Sequence, residues 1–203
     1  MAENFAVKIR DNAHIYIHNT LENAAWYLKE KIEARIRAND RDGIGLEIMA
    51  CLIMIAFSFE AKINFLGFKA FGDQWGEGRP YLHKVKRVSR KLGVQIDCDA
   101  RPYLTVRDLK RFRDTVAHGK PAEIRGEKDV TITREELERR NILKADWEKS
   151  LNEEFLRRAY DDTEELWKDL FDASGLKIID TITGGESTIE IIESVDVPAG
   201  GAA

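Results

Sequence analysis

Between Glu47 and Glu60 the chain runs through twelve residues, IMACLIMIAFSF (Ile48–Phe59), without a charge. A surface helix carries its apolar residues on one stripe. This segment is apolar on nearly every side, as a helix is at the centre of a packed domain or in a bilayer. Spanning a bilayer takes roughly 20 such residues, so the expectation is a buried core helix over about 44–65, with the other elements packed round it. A chain of 203 residues suits one domain, or one domain with an appendage. Its 43% hydrophobic content supplies a sizeable core.

The flanking segments supply the partners. Thr20 is placed to cap a helix whose Leu21, Ala25, Leu28, Ile32 and Ile36 recur at helical spacing. Asn39, Asp40 and Gly43 end it in a turn. Four glycines between Gly67 and Gly78 mark a loop. Pro80 suits the first position of a third helix, YLHKVKRVSRKLG, closing at Gly93. Thr105 with Asp108 starts a fourth helix and Thr133 with Glu136 another, both in capping-box style. Residues 126–133 read as a short strand, and a long helix is expected over about 146–174. The two β-rich runs around Gly184 and Gly185 predict a hairpin. The expected organisation is therefore mainly α: an N-terminal arm over 1–19, an antiparallel helical bundle over 20–175, a β-hairpin over 176–197 and a disordered tail over 198–203.

The start, MAENFAVKIRDNAH, has no basic end followed by an apolar block, so no signal peptide is expected. Cys51 and Cys98 lie far apart in unlike contexts, which points away from a disulfide framework and toward the cytoplasm. No cofactor is implied, and no membrane association. His14 and His18 share a metal-ligand spacing, but their surroundings read as strand and no further ligand is close in sequence, so no metal site is expected.

Charge is unevenly spread. The formal net charge is −4, yet residues 79–125 carry 13 basic and 5 acidic side chains. Such a block inside an acidic protein is a candidate polyanion surface, or else the place where the acidic C-terminal part packs. Within it Lys84, Lys86, Arg87, Arg90 and Lys110 are the candidate RNA contacts.

The fourth helix ends in LKRFRDTVAHGKP (Leu109–Pro121). At about 100° per residue Arg113 falls in the middle of the apolar stripe formed by Val106, Leu109, Val116 and Ala117. An unpaired buried cation costs several kcal/mol, by order of magnitude. Either an internal carboxylate offsets it, with Glu60 on the core helix the obvious partner, or an anion arrives from outside. Asp114 and His118 are spaced i, i+4, so the carboxylate can accept a hydrogen bond from the imidazole. Alternatively His118 only caps the helix end. Glu60 and Asn64, one turn apart, are candidate supports for the motif. A guanidinium and an acid–base group close together are what metal-free phosphodiester chemistry uses.

The hexapeptide Arg113-Asp114-Thr115-Val116-Ala117-His118, followed by Gly119, resembles the signature of the HEPN superfamily: an arginine, a polar residue, then a histidine after a short gap. Ala56–Gly67 is similar to the helix that precedes the motif in that family. The resemblance covers about residues 20–125. It implies a helical bundle that dimerises so that motif helices from two subunits build one composite site. Many such proteins are metal-independent endoribonucleases acting as toxins or in phage defence, often beside a nucleotidyltransferase-like antitoxin. By that resemblance His118 is the general acid or base, Arg113 binds the scissile phosphate and Asp114 orients His118. The products would be a 2′,3′-cyclic phosphate and a 5′-hydroxyl. Other members lack activity, so the alternative is a non-catalytic helical module that binds nucleotide, RNA or a protein partner.

Overall fold

The computed structural model describes residues 4–76, 78–121, 123–127, 129–138 and 143–195. The chain divides into two compact units: a helical unit, Ile17–Leu176, and a small unit made from the chain ends on either side of it. The expected tail over 198–203 lies outside the described residues.

The helical unit contains α1 (Ile17–Arg37), α2 (Ile44–Phe71), α3 (Tyr81–Leu92), α4 (Tyr103–His118), the short α5 (Arg134–Glu138) and α6 (Asp146–Lys149), and α7 (Glu153–Ser174). As the uncharged run requires, α2 is central and packs against α1, α3, α4 and α7. Its Ile48, Cys51, Leu52, Ile55 and Ala56 meet Ala25 and Ile32 of α1, Leu109 and Phe112 of α4, and Phe155, Leu156 and Ala159 of α7. Fully burying each large side chain contributes about 1.5–3 kcal/mol. The α1–α2 turn places Asn39 and Gly43 at positive φ, and Arg35 staples it by donating to Asp40 (2.8 Å) and Glu47 (2.7 Å).

α2 is longer than expected and reaches Phe71. It is long and apolar enough to cross a bilayer by length and composition, the only such helix among the described residues. Its full length also bears Lys62, 4% exposed, ion-paired to Glu22 of α1 and Glu164 of α7. The helix continues through Gly67 because the Trp75 ring lies against it there; a Cβ at Gly67 would come within 2.3 Å of that ring.

Other boundaries shift for identifiable reasons. α1 begins at Ile17, before Thr20, because His18 is buried with its ring 4.8 Å from that of Phe65 and 6.0 Å from that of Trp167. α4 begins at Tyr103; Thr105 is buried inside it beside Asp162 of α7 and does not cap. The expected helix over 146–174 is broken after Lys149, because Asn152 caps α7 by accepting from the Phe155 N–H at 2.8 Å. The Thr133–Glu136 capping box forms as expected. The described residues of 126–133 are in no strand.

The small unit corrects the expected C-terminal hairpin. β1 (Asn4–His14) and β2 (Gly184–Val195) pair antiparallel, from Asn4↔Val195 to His14↔Gly184, with a bulge at Ala6/Val7. The strand partner of the C-terminal run is thus the N-terminal arm, while Ile178–Thr181 forms a 3₁₀ turn. Alternation explains the choice: Val7 faces Ile191 and Ile9 faces Ile189. Gly185 serves close approach and not a turn, since a Cβ there would lie 2.8 Å from the Asn12 carbonyl oxygen. The Tyr16 N–H donates to Thr183 Oγ1 at 3.0 Å and closes the end of the ribbon.

Candidate functional site

Tyr103, Val106, Leu109 and Phe112 anchor α4 in the core. Past Phe112 the helix leaves it: Thr115, Ala117 and His118 are exposed. Arg113 stands at this exit with 20% of its side chain exposed. Its position in the apolar stripe is therefore tolerated by two things, an edge location and an internal acid. Nη1 lies 3.3 Å from Oε2 of Glu60 on α2, and Nε lies 3.0 Å from Oδ1 of Asp114. The guanidinium carbon is 5.6 Å from the Tyr81 ring centre and 6.0 Å from that of Phe57.

The pairs join into a row. The other Glu60 oxygen is 3.3 Å from Lys84 Nζ, and the other Asp114 oxygen pairs with Lys110. Three cations share two carboxylates, so the row carries a net positive charge and can accept an anion. Tyr81, which sequence reasoning passed over, sits beside it. Its hydroxyl is buried and has no hydrogen-bond partner among the described residues. Burial and the Glu60 carboxylate push the phenol well above its ordinary range, against the opposing pull of Arg113. A tyrosine at the first position of a basic helix reads from sequence as ordinary core; only the fold brings it to Glu60.

Two sequence expectations change here. Asp114 is drawn to Arg113 and Lys110, and among the described residues no ion pair joins it to His118. His118 is the last residue of α4 and is exposed, followed by Gly119 at φ 53°. Arg113 and His118 are five residues apart, so on a regular helix their Cα positions lie about 7.5 Å apart along the axis and about 140° apart around it. Glu60 does reach the motif; Asn64 is not among the partners of Arg113, and its Oδ1 is buried with no hydrogen-bond partner among the described residues.

The candidate RNA contacts also divide. Lys84 is 4% exposed and turned inward to Glu60, so it is not part of a basic surface. Lys110 is drawn to Asp114. Lys86, Arg87 and Arg90 line a cleft of about 290 Å³ together with Arg79 and His83, which sequence reasoning left out because they precede or interrupt the lysine–arginine run. A larger cleft of about 620 Å³ runs along a different face of α4, beside α6 and α7. Its charges have both signs, and pairs such as Lys149–Asp146 (2.7 Å) satisfy one another.

The second charged centre, also unread from sequence, is the Lys62 cluster in the core. Lys62 donates to Glu22 at 2.7 Å and to Glu164, and Ser58 donates to Glu22 at 2.8 Å. Burial pushes Glu22 up, but Lys62 brings it below its ordinary value; burial keeps Glu164 above its own. Burial lowers His18 to about 4. Cys51 is buried too, its thiol donating to the Ala25 carbonyl at 3.3 Å and raised by burial to about 12. Cys51 and Cys98 are both free thiols. Among the described residues no three His, Cys, Asp or Glu side chains are grouped to hold a metal ion. No family model, curated protein or solved structure matches the chain.

Proposed function

We propose that the chain is a metal-independent endoribonuclease of HEPN type that acts as a homodimer in the cytoplasm. The observation that carries this reading is the exit of α4 from the core. It leaves Arg113 at an edge of net positive charge and His118 open at the helix end, where a second copy can meet them. The apolar α2 leaves Leu46, Phe57 and Phe68 exposed at helical spacing, and Phe57 lies beside Arg113, which suits a seam between subunits. The 140° separation of Arg113 and His118 within one helix gives the dimer a chemical purpose: the arginine of one copy works with the histidine of the other. The 2′-hydroxyl gives up its proton as its oxygen attacks phosphorus, the bond from phosphorus to O5′ breaks, and the 5′-oxygen takes up a proton. His118 accepts the first proton as base and returns one to the 5′-oxygen as acid, while Arg113 steadies the charge on the phosphorane-like transition state. A nucleotidyltransferase-like antitoxin is the partner this reading expects, in toxin–antitoxin or phage-defence context.

The test is cleavage of RNA in EDTA by the purified protein, with cyclic phosphate ends scored. His118→Ala and Arg113→Ala abolish it while both stay folded by circular dichroism. Cleavage that EDTA stops, or that His118→Ala retains, overturns the mechanism.

One observation favours a second reading. Arg113 and Asp114 are already satisfied by Glu60 and Lys110 within the chain, as befits a non-catalytic helical module that binds RNA, nucleotide or a protein partner. That module binds without turnover and has no need of a dimer; a strict monomer by sedimentation favours it.

A further inference from the structure

His83, Lys86, Arg87 and Arg90 follow one another at helical intervals along one side of α3, and with Arg79 just before the helix they line the cleft of about 290 Å³. Arg79, His83, Lys86 and Arg90 are exposed. Among the described residues the one ion pair made from α3 is that of Lys84, which faces inward. The cleft lining, among the described residues, holds cations and no acid, and their mutual repulsion is relieved by a bound anion.

One member is held in place. The Arg87 guanidinium lies 4.2 Å from the ring centre of Phe71 and 5.5 Å from that of Trp75, two rings that stack on each other at 5.7 Å. Its Nη2 donates to the Gln74 carbonyl at 3.2 Å, while Nη1 is buried with no partner among the described residues. Arg79 is laid against Gly76, where a Cβ would come 2.8 Å from its Nε. Aromatic stacking and the Gln74 carbonyl thus fix the Arg87 guanidinium at the cleft wall, where its charge adds to that of the exposed cations.

We propose that this cleft holds the backbone phosphates of single-stranded RNA. It deepens the nuclease reading, and rests on it for the identity of the polymer. Length argues for a polymer: His83 to Arg90 span about 10 Å at helical rise, with Arg79 ahead of the helix adding to the row, more than a lone phosphate or pyrophosphate occupies. The available aromatic surface argues for backbone contact without base readout, since Trp75 is buried and Arg87 covers Phe71. Binding is then salt-dependent and indifferent to sequence.

The experiment measures anisotropy of labelled 2′-O-methyl oligouridine and oligoadenosine, which 2′-hydroxyl chemistry cannot cut, from low to moderate salt. The full chain is compared with Arg79→Glu/Arg90→Glu, both at exposed positions. The double variant is expected to lose about tenfold or more in affinity for both oligomers, with a log–log salt slope shallower by about 1.4. Equal affinity of parent and variant overturns the proposal. So does calorimetric binding of inorganic pyrophosphate as tight as that of the oligomers, which makes the ligand a small phosphate. If the variant binds like the parent while His118→Ala abolishes cleavage, the cleft fails and the nuclease stands. If the variant loses binding but no cleavage is found, the cleft stands and the nuclease fails.

Discussion

Arg113 Nη1 lies 3.3 Å from Oε2 of Glu60, an ion pair that adds to the apolar packing of the motif helix on the core helix. The same carboxylate holds Lys84, whose side chain is 5% exposed. Glu60 thus neutralises a cation that cannot reach water and restrains one that can. Glu60→Gln removes the charge from both. The buried lysine loses its counter-ion, at a cost of about 2 kcal/mol, below the usual 3–5 because Glu60 is itself partly exposed. Arg113 is released toward an incoming phosphate. The variant is expected to unfold at lower urea yet bind RNA more tightly than the parent. A drop in both stability and RNA affinity shows that the pair serves the fold alone.

The angular separation of Arg113 and His118 makes a second prediction. Neither Arg113→Ala nor His118→Ala has activity alone. If each site takes its arginine from one subunit and its histidine from the other, a mixed dimer of the two variants keeps one intact site. Unfolding and refolding them together should recover about a quarter of parental RNA cleavage, since about half of the dimers are mixed and each keeps one of the two symmetry-related arginine–histidine pairs of the composite site. No recovery, with mixed dimers present by mass spectrometry, means that both residues of one chain are needed together.

How far the fold was legible follows from where its determinants lie. The uncharged run round Ile55 announces a central helix, because twelve residues are too few to span a bilayer and a packed core accommodates them. Pro80, Gly93 and the Thr133–Glu136 pair mark helix ends through chemistry confined to a few residues. The ribbon was not legible: Gly184–Gly185 has local hairpin chemistry, yet Ile189 and Ile191 choose Ile9 and Val7 across nearly the whole chain, a choice no local pattern encodes. At the candidate site, Arg113 was legible as a misfit in a stripe, and Glu60 as an acid in an apolar helix. Tyr81 and the inward turn of Lys84 were not, because both depend on α3 docking on α2. Lys62 was hidden for the same reason: its two acids come from α1 and α7.

His18 sets a pH dependence of stability. Folded, it takes up a proton only near pH 4, against 6.5 for an ordinary histidine, chiefly through burial and then through Lys62, with Glu22 opposing. Between these values the unfolded chain binds more protons than the folded one, so stability falls on acidification from about 6.5 to about 4 and is fully present above that window. The full effect is on the order of 3 kcal/mol. Glu22, held below its ordinary value, works in the same direction at lower pH, while the raised Glu164 opposes it. Urea midpoints at pH 7 and pH 5 should differ clearly in the parent and much less in His18→Gln. An unchanged difference assigns the pH dependence to the carboxylates.

Gly67 links the core helix to the basic cleft. The Trp75 ring occupies the place of its missing side chain, with three ring atoms within 2.5 Å of where a Cβ would stand. Helix propensity alone favours Gly67→Ala by about 1 kcal/mol, but the added methyl cannot share that space, and an overpacked core side chain costs about 1–3 kcal/mol. Steric exclusion wins, so Gly67→Ala is expected to lower stability and to push Trp75 off the helix. Trp75 stacks on Phe71, and the two rings carry Arg87. The variant should therefore lose affinity for 2′-O-methyl oligonucleotide as well, although Gly67 is buried and bears no charge. Tryptophan fluorescence reports the displacement and anisotropy the binding. If Trp75 moves and oligonucleotide affinity holds, the aromatic shelf does not position Arg87 for phosphate.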